Sequence, residues 1–182
     1  MSLDFNKNFF ELFSLPIQYS LDKQRLASRF RALQAEYHPD RFANASDQER
    51  RVALQSTGYI NEAHETLKSP RLRARYMLEL KHVDFDDERD TTQDMSFLMQ
   101  QMEKREALEE AAQSADPLEA VDAIAKQVKQ EQNELNAEFE KQLSQDNLAE
   151  AKEAVLKMKF YERLANEVKS LQEKIEDEMF AS

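Results

Sequence analysis

The sequence has one glycine, no cysteine and no tryptophan in 182 residues, and only four prolines. Each shortage excludes something. Glycine-rich phosphate loops and dinucleotide-binding turns need several glycines, because the backbone must turn tightly and approach its ligand closely. Strand-rich folds also use glycine at turns and bulges. Without cysteine there is no disulfide, catalytic thiol or thiolate metal ligand. No apolar run approaches the ~20 residues that span a bilayer. Residues 1–10 lack the basic start and apolar core of a secretory signal. These absences predict an all-helical, cytoplasmic protein with no cofactor and no metal site.

Charge is plentiful and unevenly placed. Residues 1–83 hold 13 Lys+Arg and 10 Asp+Glu, a net +3; residues 84–182 hold 12 and 26, a net −14. Solvated helix faces account for such a split, and so do two modules with different partners. An acidic second half argues against a nucleic-acid groove, which needs a basic face.

Helical periodicity runs through both halves. Phe9, Phe10, Leu12, Phe13 and Leu15 form a short apolar helix closed by Pro16. Asp22 is an N-cap for a helix reaching Tyr37, with Leu26, Phe30, Leu33 and Tyr37 on one buried face. Pro39 ends it. Ser46 and Glu49 form a capping box, opening a helix with Val52, Tyr59, Ile60, Ala63 and Leu67 on its apolar side; Pro70 restarts the chain as a fourth helix through Leu80. The acidic, aperiodic residues 84–92 are expected to be a linker. Three longer helices follow, at about 93–114, 117–143 and 146–180. Their single stripes and short connections predict an antiparallel three-helix bundle. The last stripe includes Leu148, Ala151, Val155, Met158, Leu164, Val168, Leu171, Ile175 and Met179.

His38-Pro39-Asp40 sits between two amphipathic helices, after an aromatic-rich first helix. It is followed by Tyr59-Ile60-Asn61-Glu62-Ala63, by Ser69-Pro70 and by Arg73-Ala74-Arg75-Tyr76. Together these resemble a J-domain, the module that stimulates the ATPase of DnaK-type chaperones, over roughly residues 8–80 of an expected domain at 1–83. The resemblance implies that His38, Pro39 and Asp40 contact the chaperone, with Arg31 and Arg41 at matching basic positions and Arg29 adding charge nearby. Ala32 and Glu36 stand where many J-domains are basic, which suits a specialised partner. His38 is then a contact residue and not a general base, and no catalytic residue is expected. His64 and His82 share no ligand spacing with it.

The glycine-rich and zinc-binding extensions of general J-proteins are absent. In their place an acidic domain, residues 93–182, opens with Asp94-Met95-Ser96-Phe97-Leu98-Met99. Its order and length are similar to the HscB-type co-chaperones of iron–sulfur cluster biogenesis. Turning about 100° per residue puts Phe97, Leu108 and Ala111 on one side of its first helix. Leu98, Met99 and Met102 fall on another side, interleaved with Glu103, Glu106 and Glu110. One stripe serves as core. The second is either sandwiched between helices or an exposed, adaptable patch, and the carboxylates favour exposure. Lys104 falls near the core side, where an apolar residue fits better. Leu156 and Phe160 lie off the main stripe of the last helix. The resemblance implies that Leu98, Met99, Met102, Glu103, Glu106, Glu110 and Phe160 bind the scaffold protein IscU, and that the chaperone is HscA. The implied function is recruitment of IscU to HscA with stimulation of its ATPase. The alternative is a general co-chaperone for protein folding, whose acidic domain takes unfolded clients.

Overall fold

A computed structural model describes residues 3–180 of the chain, and no strand occurs among the described residues. The helices are α1 (Phe9–Leu12), α2 (Lys23–Tyr37), α3 (Asp47–Lys68), α4 (Pro70–Glu79), α5 (Met95–Ala112), α6 (Pro117–Ser144) and α7 (Leu148–Phe180), with a 3₁₀ turn at Pro39–Phe42. The chain divides into two compact units between His82 and Val83. The fold is all-α: a helical hairpin with two short helices, then a three-helix bundle.

Local chemistry sets nearly every helix start. The Asn8 side chain accepts from the Glu11 amide, and Glu11 reaches back to the Asn8 amide. Asp22 Oδ1 accepts from the Gln24 and Arg25 amides, both at 3.0 Å. Ser46 and Glu49 close the expected capping box. Ser69 then caps α4 ahead of Pro70, and Asp116 caps α6 ahead of Pro117. Each cap satisfies amides that the helix itself cannot, worth about 1 kcal/mol.

The glycine shortage shows at the helix ends. Three residues with side chains take the left-handed conformation that glycine usually fills: Ser14 at φ 53°, His82 at φ 63° and Asp146 at φ 59°. At α1 the Leu15 amide donates to the Phe10 carbonyl and the Ser14 amide to Glu11. At α6 the Asn147 amide donates to the Gln142 carbonyl and the Asp146 amide to Leu143. Both pairs are Schellman closures. They end α1 at Leu12, short of Pro16, and delay α7 to Leu148, past the expected start at Asp146. The lone glycine, Gly58, lies inside α3.

In the N-terminal unit Phe10 and Phe13 are fully buried, as are Ile60, Ala63, Leu67, Ala74 and Leu78. Phe9 stacks on Tyr76 with ring centres 4.4 Å apart and meets the Tyr59 ring edge-on at 5.4 Å. The Phe9 amide donates to the Tyr76 hydroxyl at 3.0 Å. The Tyr59 hydroxyl donates to the Lys7 carbonyl at 2.8 Å. These contacts tie α1 to α3 and α4. On α2 only Leu26 and Tyr37 are buried. Phe30, expected on the same buried face, is half-buried and stacks on His64 at 3.8 Å.

In the C-terminal unit α5, α6 and α7 enclose Phe97, Leu108, Val121, Val128, Leu164 and Val168. Tyr161 meets Glu131, and Gln172 meets Asp122, so α7 runs antiparallel to α6. Asp94 meets Lys157 and Arg105 meets Glu167, so α5 runs parallel to α7. Met179, expected in the stripe, is 62% exposed; the helix outruns its core beyond Ile175. Residues 84–92 carry no helix and are fastened to α7. Lys152 Nζ lies 2.7 Å from Asp90 Oδ2, donates to the Asp84 carbonyl at 2.8 Å, and sits 5.0 Å from the Phe85 ring centre. The buried Thr92 hydroxyl donates to the Glu153 carboxylate.

Candidate functional site

The first candidate site is the turn after α2. Its frame is braced from below. The Thr57 hydroxyl of α3 points at the Tyr37 carbonyl, 3.1 Å away, and at the Ala53 carbonyl, 2.9 Å away. Arg41 Nη1 donates to the Ala35 carbonyl at 3.0 Å, satisfying one of the last open carbonyls of α2. Arg50 reaches the Ala43 and Ala45 carbonyls. Pro39 locks φ at the head of the 3₁₀ turn.

On that frame His38 and Asp40 stand out into solvent, with side chains 56% and 90% exposed. The Asp40 amide donates to His38 Nδ1 at 3.3 Å, which orients the imidazole and leaves its Nε2 edge outward. The Asp40 carboxylate, 3.6 Å from the same ring nitrogen, stays available to an outside cation. Arg29 and Arg31 are exposed on α2. Arg41, expected to serve a partner, also has a local task, since it closes α2. Nothing in the turn pairs a nucleophile with a base. Among the described residues no group of three or more His, Asp or Glu could hold a metal ion.

The second candidate site is on α5 and α7. Met95, Met99 and Met102 are 67%, 58% and 62% exposed. Glu103, Glu106 and Glu110 are exposed beside them. Unbranched, polarizable side chains next to carboxylates make a surface that adapts to an apolar partner with basic margins. The exposed alternative for this stripe therefore holds for its methionines.

It does not hold for the whole expected set. Leu98 is half-buried and packs on the bundle core, as does Phe160. The Phe160 ring meets the Phe97 ring edge-on at 5.6 Å. These two side chains are the floor of the face, and the methionines and glutamates are its exposed surface. The reason is rotational: Leu98 lies about 60° around α5 from the buried Gln101, three residues on, and so falls at the margin of the inward face. Leu156, raised with Phe160, is also half-buried.

Lys104 has its explanation in a neighbour that α5 alone does not reveal. Its Nζ lies 2.9 Å from Glu131 Oε1 on α6. The Tyr161 hydroxyl of α7 donates to the other oxygen at 3.0 Å, and Gln127 donates to Oε1 at 3.0 Å. Partial burial opposes ionisation of Glu131, but the bonds from Lys104, Gln127 and Tyr161 outweigh it and hold its pKa below the usual carboxylate value. Burial, reinforced by the Glu131 carboxylate, pushes the Tyr161 hydroxyl far above its ordinary pKa. One carboxylate thus ties three helices together. The signal was present: Glu131 falls three residues after Val128, on the inward side of α6. Gln101 was missed altogether. It is 1% exposed and close enough to Tyr161 to bear on its ionisation, yet its amide makes no hydrogen bond of normal geometry.

Known proteins resemble this chain in sequence and in fold. Residues 93–169 match the family model described as HSCB C-terminal oligomerisation domain. A co-chaperone protein HscB homolog of Vibrio cholerae serotype O1 (strain M66-2) is 44% identical over 172 residues, covering 94% of this chain and 98% of the relative. The structure of chaperone HscB from Vibrio cholerae superposes with a TM-score of 0.86 at 42% identity, covering 93% of this chain and 99% of that one. Human co-chaperone protein HscB superposes with a TM-score of 0.83 at 28% identity, covering 93% of this chain and 84% of that one.

Proposed function

The chain belongs to the HscB co-chaperone family, and from that premise we propose that it is a two-module adaptor for iron–sulfur cluster assembly in the cytoplasm. The J-domain turn engages the DnaK-type chaperone HscA and stimulates its ATPase. The α5–α7 face holds the scaffold protein IscU. The protein performs no bond-breaking chemistry itself.

One observation carries the reading. Two exposed, braced recognition surfaces of different chemistry sit on one chain: His38 and Asp40 on a locked turn, and a methionine face bordered by Glu103, Glu106 and Glu110. A turn of this kind suits recognition of a guanidinium, since a free carboxylate accepts a bidentate Arg. Exposed Arg29 and Arg31 steer an acidic chaperone surface toward it. The methionine face suits a folded client with an apolar patch and basic margins. Joining the two raises the local concentration of scaffold at the chaperone without any new contact. ATP hydrolysis then traps the scaffold and favours release of its cluster to an acceptor.

The test is chaperone ATPase turnover with this protein, with and without IscU, beside calorimetric titration of IscU alone. His38→Gln is expected to abolish stimulation while leaving IscU affinity unchanged. Full stimulation by the variant overturns the J-domain role. Absence of IscU binding by the wild-type chain, with stimulation retained, favours the general folding co-chaperone instead.

A further inference from the structure

Lys157 belongs to none of the residues assigned to the α5–α7 face, yet it joins the start of α5 to α7 beside the Phe97–Phe160 contact. Its Nζ lies 2.8 Å from Asp94 Oδ2 and 3.8 Å from Glu153 Oε1. It also sits 5.3 Å from the centre of the Phe97 ring. The other oxygen of Asp94 accepts the Phe97 amide at 3.0 Å and so caps α5. Phe97 in turn meets Phe160 edge-on. The Lys157 side chain is 21% exposed and that of Asp94 40%, so the pair lies at the edge of the bundle. Its hydrogen bond to Asp94 holds that carboxyl below its usual range.

We infer that Lys157 is a positioning residue for the partner face: through Asp94 it fixes the first turn of α5 against α7, and so sets Leu98, Met99 and Met102 beside Phe160. The cap and the anchor are two functions of one carboxylate. Oδ1 starts the helix, and Oδ2 places it. Phe97 seats the first turn of α5 on the core through Phe160 and Tyr161, while the exposed Met95 and Met99 add little. Lys157 adds a directional polar restraint to that apolar contact. This inference rests on the reading of the face as the IscU site.

The two functions of Asp94 separate experimentally. Asp94→Ser keeps an N-cap of similar strength and removes the anchor, while Lys157→Met removes the anchor from the other side. IscU affinity is titrated for the wild type, both single variants, the double variant and Lys157→Arg, each well below its melting temperature. Each single variant is expected to bind about tenfold more weakly, the loss typical of a charged hydrogen bond. The double variant is expected to bind no more weakly than either single one, which is the signature of one shared interaction. Lys157→Arg is expected to recover most of the affinity, and amide exchange at Phe97 and Leu98 to rise in the weakened variants. A wild type that fails to bind overturns the site reading and this inference with it. A wild type that binds, with single variants within twofold of it or with losses that multiply in the double variant, overturns the inference alone.

Discussion

Lys104 on α5 and Glu131 on α6 face each other at 2.9 Å with side chains only 16% and 22% exposed, and Tyr161 on α7 completes the group. A half-buried charge is stable here because its counter-charge is in place and hydrogen-bonded. Removing one partner exposes the cost. Glu131→Leu leaves the Lys104 ammonium and the Tyr161 hydroxyl without their acceptor, and is expected to destabilise the bundle by about 1–3 kcal/mol. The combined change Lys104→Leu, Glu131→Leu and Tyr161→Phe removes all three polar ends together and is expected to recover most of that loss. Urea unfolding of the two variants checks both; a single variant as stable as the wild type contradicts the assignment.

Acid is expected to loosen the same group. Glu131 and Asp94 have folded pKa values below their unfolded ones, through hydrogen bonds to Lys104 and Lys157 respectively. Glu49, hydrogen-bonded by Ser46, and Glu138, hydrogen-bonded by Gln142, shift the same way. A carboxylate depressed on folding contributes stability above its unfolded pKa and loses it as pH falls through the folded one. The unfolding free energy is therefore expected to be steady above about pH 5 and to fall below about pH 4. Glu131→Gln flattens part of that slope. Denaturant titrations across this range measure it.

Gly58 is the next point of leverage. It lies exposed inside α3, and a Cβ built there meets nothing within 4 Å. Glycine in a helix interior costs roughly 0.5–1 kcal/mol relative to alanine. Gly58→Ala is expected to stabilise the N-terminal unit by about that amount. Thermal unfolding of the variant beside the wild type decides it, and a lower melting temperature contradicts the open space.

The proposed partner face divides into floor and surface, and stability measurements separate them. Phe160→Ala and Leu98→Ala remove side chains that pack on the bundle core, and each is expected to cost about 1–3 kcal/mol. Met99→Ala and Met102→Ala change exposed side chains and are expected to stay within about 0.5 kcal/mol. Equal losses at all four positions contradict the division.

Much of this protein is legible one helix at a time. Caps are local, because a side chain two or three residues away satisfies the amide; Asp22 and Ser46 read as caps from the sequence alone. Apolar stripes are also local, since they follow the helical period. The His38-Pro39-Asp40 turn reads directly, because its proline and its neighbours determine the backbone. Other features needed the packed chain. Lys104 looks misplaced on α5 until Glu131 arrives from another helix, 27 residues further along. The second stripe of α5 is ambiguous until packing lays Leu98 on the core and leaves Met99 and Met102 in solvent. Residues 84–92 read as a linker, and only their contacts with Lys152 and Glu153 fasten them to α7. The difference is one of range. Periodicity, capping and turn chemistry act over a few residues and leave their mark in the sequence, whereas burial and pairing depend on which surfaces the fold brings together.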